Sequence, residues 1–294
     1  MNGMRNPASI ATLLALILVM ALLACGCTQQ AGSQPPTTTS PGKTRESITL
    51  SGSTTVLPVA QAAADAYMNT HANAEIMVIG GGSSVGIQAA GEGTASIGMS
   101  SRDLKAEEKT RYPGLVSTVI GNDGIALIVH PSNTVGPLTL EQVKGIYQGK
   151  YTNWKDLGGP DMAIVVAGRD SASGTREFFH EKVMNKEDFV AGQLEKNSNG
   201  AVKQTVAQTP GAIGYVGLGY IDGTVRAVPI LVDGTPIEPS VRTVLDRKYP
   251  ISRPLILVTK GEPAGLAKDY ITFLLGPEGQ KILEKEGFVP LGQA

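Results

Sequence analysis

The chain has 294 residues, of which 41% are hydrophobic and only 17% charged, and its formal net charge is −1. That is apolar material for one large domain or two, and the near-neutral charge excludes the clustered Lys and Arg of a nucleic-acid surface. Two cysteines and three histidines exclude a Cys/His zinc module and a disulfide framework, so no metal and no cofactor is expected.

In chain order, Arg5 precedes an uncharged apolar run from Ile10 to Ala24. The run is shorter than the roughly 20 residues that span a bilayer as a helix. A basic start, a short apolar stretch and then small residues read as an export signal over residues 1–26. Leu22-Leu23-Ala24-Cys25-Gly26-Cys27 resembles the lipobox of exported lipoproteins, which implies lipidation at Cys25 or Cys27 and an extracytoplasmic, membrane-anchored protein. Residues 27–45, rich in Gln, Ser, Pro and Thr, read as a disordered tether.

From Ser47 short apolar runs alternate with amphipathic stretches. Strands are expected at 48–50, 75–79, 95–99, 125–129, 163–167, 212–216 and 255–259. Helices are expected at 58–69, 84–90, 139–148, 174–184, 201–207 and 264–275, with a last one opened by Pro277 and stopped at Gly287. Thr139-Leu140-Glu141-Gln142 has the form of a capping box. Strands alternating with helices predict an α/β fold with a mainly parallel sheet, and the length suits two α/β lobes.

The chemistry gathers where strands end. Four strands run into small hydroxyl or glycine residues, and three of the four lead directly into helices. They are Gly52-Ser53-Thr54-Thr55, Gly80-Gly81-Gly82-Ser83-Ser84, Ser100-Ser101-Arg102 and Arg169-Asp170-Ser171-Ala172-Ser173-Gly174-Thr175. Helix starts present free N–H groups and the positive end of the macrodipole, which together suit an anion. Arg102 or Arg169 adds a charge-assisted contact. Each segment alone is most simply an N-cap or a turn. The same chemistry after four strands of one chain points to a small oxyanion held in a cleft.

These segments resemble the substrate-binding proteins of phosphate-specific ABC transporters over nearly all of 47–291. The likeness rests on Gly52 through Pro58, Gly82-Ser83-Ser84, Ile97 through Arg102, Leu138 through Tyr147, Thr152-Asn153-Trp154, Arg169 through Thr175 and Pro210 through Val216. It implies the two-lobed fold of type II periplasmic binding proteins, with two crossovers between lobes. Lobe I would be 46–121 with 251–294, and lobe II 122–250. It implies a monomer that binds inorganic phosphate between its lobes, without catalysis, and hands it to permease subunits. The candidate ligands are Ser53, Thr54, Thr55, Ser83, Ser84, Ser101, Arg102, Arg169, Ser173, Gly174 and Thr175. Some members place an Asp after the third strand to accept the phosphate proton. Here the order is Ser101-Arg102-Asp103, so either Arg102 replaces that acid or Asp103 serves.

Three rivals stay open at this point, one of them a surface receptor or sensory module with no transporter. The same fold binds other oxyanions, such as sulfate, molybdate or tungstate. Gly82-Ser83-Ser84-Val85-Gly86 also matches the G-x-S-x-G elbow of serine hydrolases, although neither His130 nor His180 stands late in the chain, where such a triad needs it. Trp154 reads as packing, and Glu107-Glu108-Lys109 as a solvated helix face.

Overall fold

The computed structural model describes residues 45–292. The expected export signal, the expected tether up to residue 44 and both cysteines lie outside the described residues. In chain order the elements are β1 (Glu46–Gly52), α1 (Leu57–Thr70), β2 (Ala74–Gly80), α2 (Ser83–Glu92), β3 (Ile97–Ser100), α3 (Ala106–Arg111) and β4 (Leu115–Val129). Then come α4 (Leu140–Tyr147), β5 (Val165–Arg169), α5 (Gly174–Lys182), β6 (Leu194–Lys196), α6 (Asn199–Gln208) and β7 (Ala212–Gly217). Three short strands follow, β8 (Arg226–Val228), β9 (Ile230–Val232) and β10 (Thr235–Ile237), then α7 (Val241–Leu245), β11 (Ser252–Lys260), α8 (Gly265–Leu275) and α9 (Pro277–Lys285).

Local chemistry explains the elements that matter here. Pro58 sits in the first turn of α1, where its missing N–H is no loss, and Val59, Ala60, Ala63, Ala64 and Tyr67 turn inward at helical spacing. Thr139 caps α4 with its hydroxyl on the Gln142 N–H, and the Gln142 side chain returns the bond, as the capping box predicts. Gly82 precedes α2 at φ 98°, a conformation that glycine adopts without strain.

The strands are ordered β2-β1-β3-β11-β4-β7-β5-β6, with β8 beside β4. β1 lies parallel to β2 and β3, and β5 parallel to β6 and β7. The centre is antiparallel: β11 pairs with both β3 and β4, and β4 pairs with β7. The sheet is therefore mixed, not mainly parallel, because its two central strands are the crossings that join the lobes. The expected strand 125–129 is only the end of the fifteen-residue β4. Its middle, Gly121-Asn122-Asp123-Gly124, has the composition of a turn, yet each of these residues pairs with β11.

Each lobe has its own core. One is built from Ile48, Leu50, Val59, Ile97 and Leu257 with Tyr270 of α8 and Phe288, which follows α9. The other gathers Leu127, Val143, Tyr147, Trp154, Phe179 and Tyr215. Trp154 is fully buried there, and its indole N–H donates to the Gly211 carbonyl at 2.9 Å. Among the described residues no helix is long and apolar enough to cross a membrane.

Candidate functional site: a buried nest of hydroxyls and arginines

Parallel register brings the first turns together. Gly52 stands opposite Gly80 on one side and Met99 on the other, so the chain leaves β1, β2 and β3 at one edge of the sheet. In the second lobe Arg169 ends β5 opposite Lys196, which ends β6, so the turns into α5 and α6 also share an edge. The two edges meet. The Ser84 N–H donates to the Ala172 carbonyl at 3.1 Å, and Thr55 Oγ1 lies 3.2 Å from Thr175 Oγ1. The Tyr220 hydroxyl donates to the Thr54 carbonyl. At the rim Lys105 pairs with Glu177 at 2.9 Å.

Ser53, Thr54, Thr55, Ser83, Ser101, Arg169, Ser173 and Thr175 are all buried at this meeting. Their tasks differ. The Ser53 hydroxyl accepts the Thr55 and Val56 N–H groups, and the Ser173 hydroxyl accepts from Arg176, so both brace their turns. Ser83 Oγ accepts the Ser101 N–H at 3.1 Å and lies 3.4 Å from Ser101 Oγ, which ties the second turn to the third. A side chain on Gly174 would strike the Ser83 and Ser101 hydroxyls, so only glycine lets these turns close on one another.

The two arginines foreseen in the sequence are used differently. Arg169 is 1% exposed. Its Nε donates to the Lys196 carbonyl and its Nη2 to the Asn197 carbonyl, while Nη1 is buried without a partner among the described residues. Arg102 instead grips Glu108 with both terminal nitrogens, at 2.8 and 2.7 Å, and also reaches the Ser84 hydroxyl and the Asp103 carbonyl. Glu108 is thus no solvated helix face. Its own burial would raise its carboxyl, but the Arg102 fork and the Lys105 N–H outweigh that and hold it below the usual Glu value. Asp103 is exposed.

Three further residues complete the nest, and the sequence reading missed all of them. Arg253 of β11 donates from Nε and Nη2 to Asp123 of β4, at 3.1 and 2.8 Å, with both side chains fully buried. The same Nη2 reaches Thr55 Oγ1 at 3.1 Å, and Nη1 has no partner among the described residues. Asp123 also accepts the Leu218 N–H at 2.9 Å. Asn199, at the start of α6, bonds Thr54 and Thr55. Burial works against each charge: it lowers Arg169 and Arg253 from the usual arginine value, and raises Asp123 despite the opposing pull of Arg253. Ser198-Asn199-Gly200 is one more polar strand-to-helix turn, hidden because β6 is only three residues long. Arg253 lies in a crossing strand, where no local pattern marks it.

The hydrolase elbow has no partner chemistry. The Ser84 hydroxyl is bonded by Arg102. His71 stacks on Tyr67, His130 bonds Ser132, and His180 lies against Phe189.

Two buried guanidiniums inside hydroxyls contributed by both halves of a two-lobed α/β molecule define an anion-receiving binding protein. A sequence model described as "PBP superfamily domain" matches residues 37–278. The Phosphate-binding protein PstS of Bacillus subtilis is 35% identical over 296 residues, covering 98% of this chain and 95% of that protein. The PstS of Borreliella burgdorferi is 32% identical over 251 residues, covering 82% and 89%. Among solved structures, a substrate-binding protein "with Bound Phosphate" from Clostridium perfringens has a TM-score of 0.79 and 43% identity, over 84% of this chain and all of that one. An ABC-type phosphate transport receptor from Vibrio cholerae has a TM-score of 0.67 and 32% identity, over 82% and 99%. The chain belongs to the periplasmic-binding-protein superfamily and, within it, to the PstS family.

Proposed function

We propose that this protein binds one inorganic phosphate between its lobes and delivers it to the permease subunits of an ABC transporter, with no chemistry on the ligand. The observation that carries this reading is the pair of buried guanidiniums, Arg169 and Arg253, each with a terminal nitrogen that has no partner among the described residues, at the meeting of the buried hydroxyl-bearing turns. A tetrahedral anion matches such donors, and burial strengthens charge-assisted bonds to it. The phosphate held by the Clostridium perfringens neighbour supports the same reading.

In this reading lobe I is 46–121 with 251–294, and lobe II is 122–250. Thr54, Thr55, Ser83, Ser101, Arg169, Gly174 and Thr175 face the anion, with Ser53 and Ser173 bracing their turns. Ser84 and Arg102 belong to the clasp on Glu108. The protein is a monomer outside the cytoplasm, anchored through a lipid on Cys25 or Cys27. Titration calorimetry on phosphate-stripped protein is expected to show one phosphate site. Binding of sulfate but not phosphate overturns the assignment.

A second reading keeps the same site and lets another oxyanion compete. Of the carboxylates at these turns, Glu108 and Asp123 are each held by an arginine, which leaves Asp170, whose Oδ1 is buried without a partner among the described residues, as the buried acceptor on offer. An acceptor for a ligand proton is what separates protonated phosphate from fully ionised sulfate, since a buried unmatched donor costs ~1–3 kcal/mol.

A further inference from the structure

Asn199 is fully buried, and every polar atom of its side chain is committed. Its Oδ1 accepts the Gly217 N–H at 3.2 Å. A backbone N–H can only donate, so the orientation of the amide is settled: the oxygen faces Gly217 and the nitrogen faces the first turn. Nδ2 carries two protons, and two acceptors stand at 3.0 Å, Thr54 Oγ1 and Thr55 Oγ1. The backbone N–H of Asn199, free at the start of α6, approaches Thr54 Oγ1 at 3.4 Å.

The consequence for the threonines follows from counting. A hydroxyl has two lone pairs and one proton. Thr55 Oγ1 receives Asn199 Nδ2 and Arg253 Nη2, neither of which can accept. Both lone pairs are filled, and only the proton remains to point outward, on the side where Thr175 Oγ1 stands. Thr54 Oγ1 is filled in the same way by the side chain and main chain of Asn199. We propose that Asn199 is a positioning residue which, with Arg253, fixes Thr54 as a donor toward the bound oxyanion and Thr55 as a donor to Thr175 Oγ1, whose own proton then turns to the oxyanion, so that this wall of the site selects unprotonated oxygens. The proposal rests on the reading that the oxyanion sits between these turns. Asn199 does this as a neutral group; an aspartate in its place would accept both hydroxyl protons and turn the threonine lone pairs toward the ligand.

The charged and titratable groups at this corner are Arg253 of β11, Asp123 of β4, Arg169 of β5 with Asp170 beside it, Tyr215 of β7 and Tyr220 just beyond β7. Lys203, on the same helix, is paired with Asp222 at the surface. Burial pushes Tyr220 up to about 12, and raises Tyr215 further, so both phenols stay neutral near pH 7. The Arg253–Asp123 pair is the same in every variant below and cancels between them.

The experiment is calorimetric titration of the full-length chain in detergent with inorganic phosphate and with sulfate, on either side of phosphate's second ionisation, at about pH 6 and about pH 8.5. Asn199→Asp is expected to lose roughly 100-fold for phosphate at the higher pH and clearly less at the lower, where the ligand donates its own P–OH to a freed threonine lone pair. Sulfate, which has no proton to donate, is expected to lose roughly 100-fold at both. Asn199→Ala, which keeps the site uncharged, is expected to lose about tenfold for phosphate and to shift preference from sulfate toward protonated phosphate. A merely structural asparagine would lower the affinities of the neutral Asn199→Ala for phosphate and sulfate alike at both pH values, whereas the added charge of Asn199→Asp repels dianions in either case. Wild-type affinity in Asn199→Ala, or a loss in Asn199→Asp that is equal at both pH values, overturns the inference alone. If Asn199→Asp does not fold, Asn199→Ala decides. Failure of the wild-type chain to bind phosphate overturns the phosphate reading and this inference with it.

Discussion

Arg169 and Arg253 are two positive charges that burial disfavours; Arg253 is ion-paired with Asp123, whereas Arg169 has the Asp170 carboxylate near it without a direct ion pair among the described residues. The Arg169 fork is bonded to two backbone carbonyls, which satisfy its geometry but not its charge. An anion arriving at Nη1 supplies the missing countercharge where solvent screens least. Arg169→Ala is therefore expected to weaken phosphate binding by ~1.5–3 kcal/mol, the range for a hydrogen bond to a charged group. Calorimetry measures it directly, and an unchanged affinity removes Arg169 from the site. Arg102 has the same chemistry and a different fate, because Glu108 lies six residues on along the chain and takes its fork.

That clasp ties β3 to α3, a helix with no buried residue of its own. Glu108 is held below its usual value, so the sign of its pH dependence is fixed. Its stabilisation is complete above the ordinary Glu value and is lost as pH falls through the lower, folded-state value. Denaturant unfolding at successively lower pH is expected to show this loss in the wild type and a flatter profile in Glu108→Gln; parallel profiles would count against the clasp. The clasp also shows where sequence reading reached its limit. The turns after β1, β2, β3 and β5 were legible because Ser, Thr and Gly before a helical pattern have one local meaning. Which arginine faces the cleft was not legible, since that depends on a carboxylate placed by tertiary packing. Asp123 was hidden inside a turn-like Gly-Asn-Asp-Gly that β11 holds extended. Asn199 was hidden behind a strand too short to show a period.

At the scale of the whole molecule, residues from both lobes enclose one nest, and the described residues fall within one compact unit. A ligand that bonds both halves stabilises the folded chain by mass action, about 2.7 kcal/mol at 100 times its Kd. For a chain of this size each kcal/mol is worth ~2–4 °C in Tm. Thermal melts are expected to rise with phosphate concentration accordingly, and the rise at a fixed concentration is expected to shrink in Arg169→Ala. A melting point indifferent to phosphate would contradict binding between the lobes.

The two central strands have a mechanical consequence. β4 and β11 are laddered together from Ser252 opposite Gly124 to Lys260 opposite Leu115, with one register shift between Leu255 and Ile256. Neither strand can slide or twist without dragging the other. The rungs resist shear between the halves, so the ladder opposes bending of the double-stranded ribbon, like that of a leaf spring, less than it opposes sliding. Arg253 and Asp123 form a rung of that spring in side chains as well as backbone, and Arg253 also touches Thr55 at the nest. The ribbon and the nest therefore share an atom, the Arg253 Nη2 bonded to both Asp123 and Thr55, so a displacement of one is mechanically tied to the other.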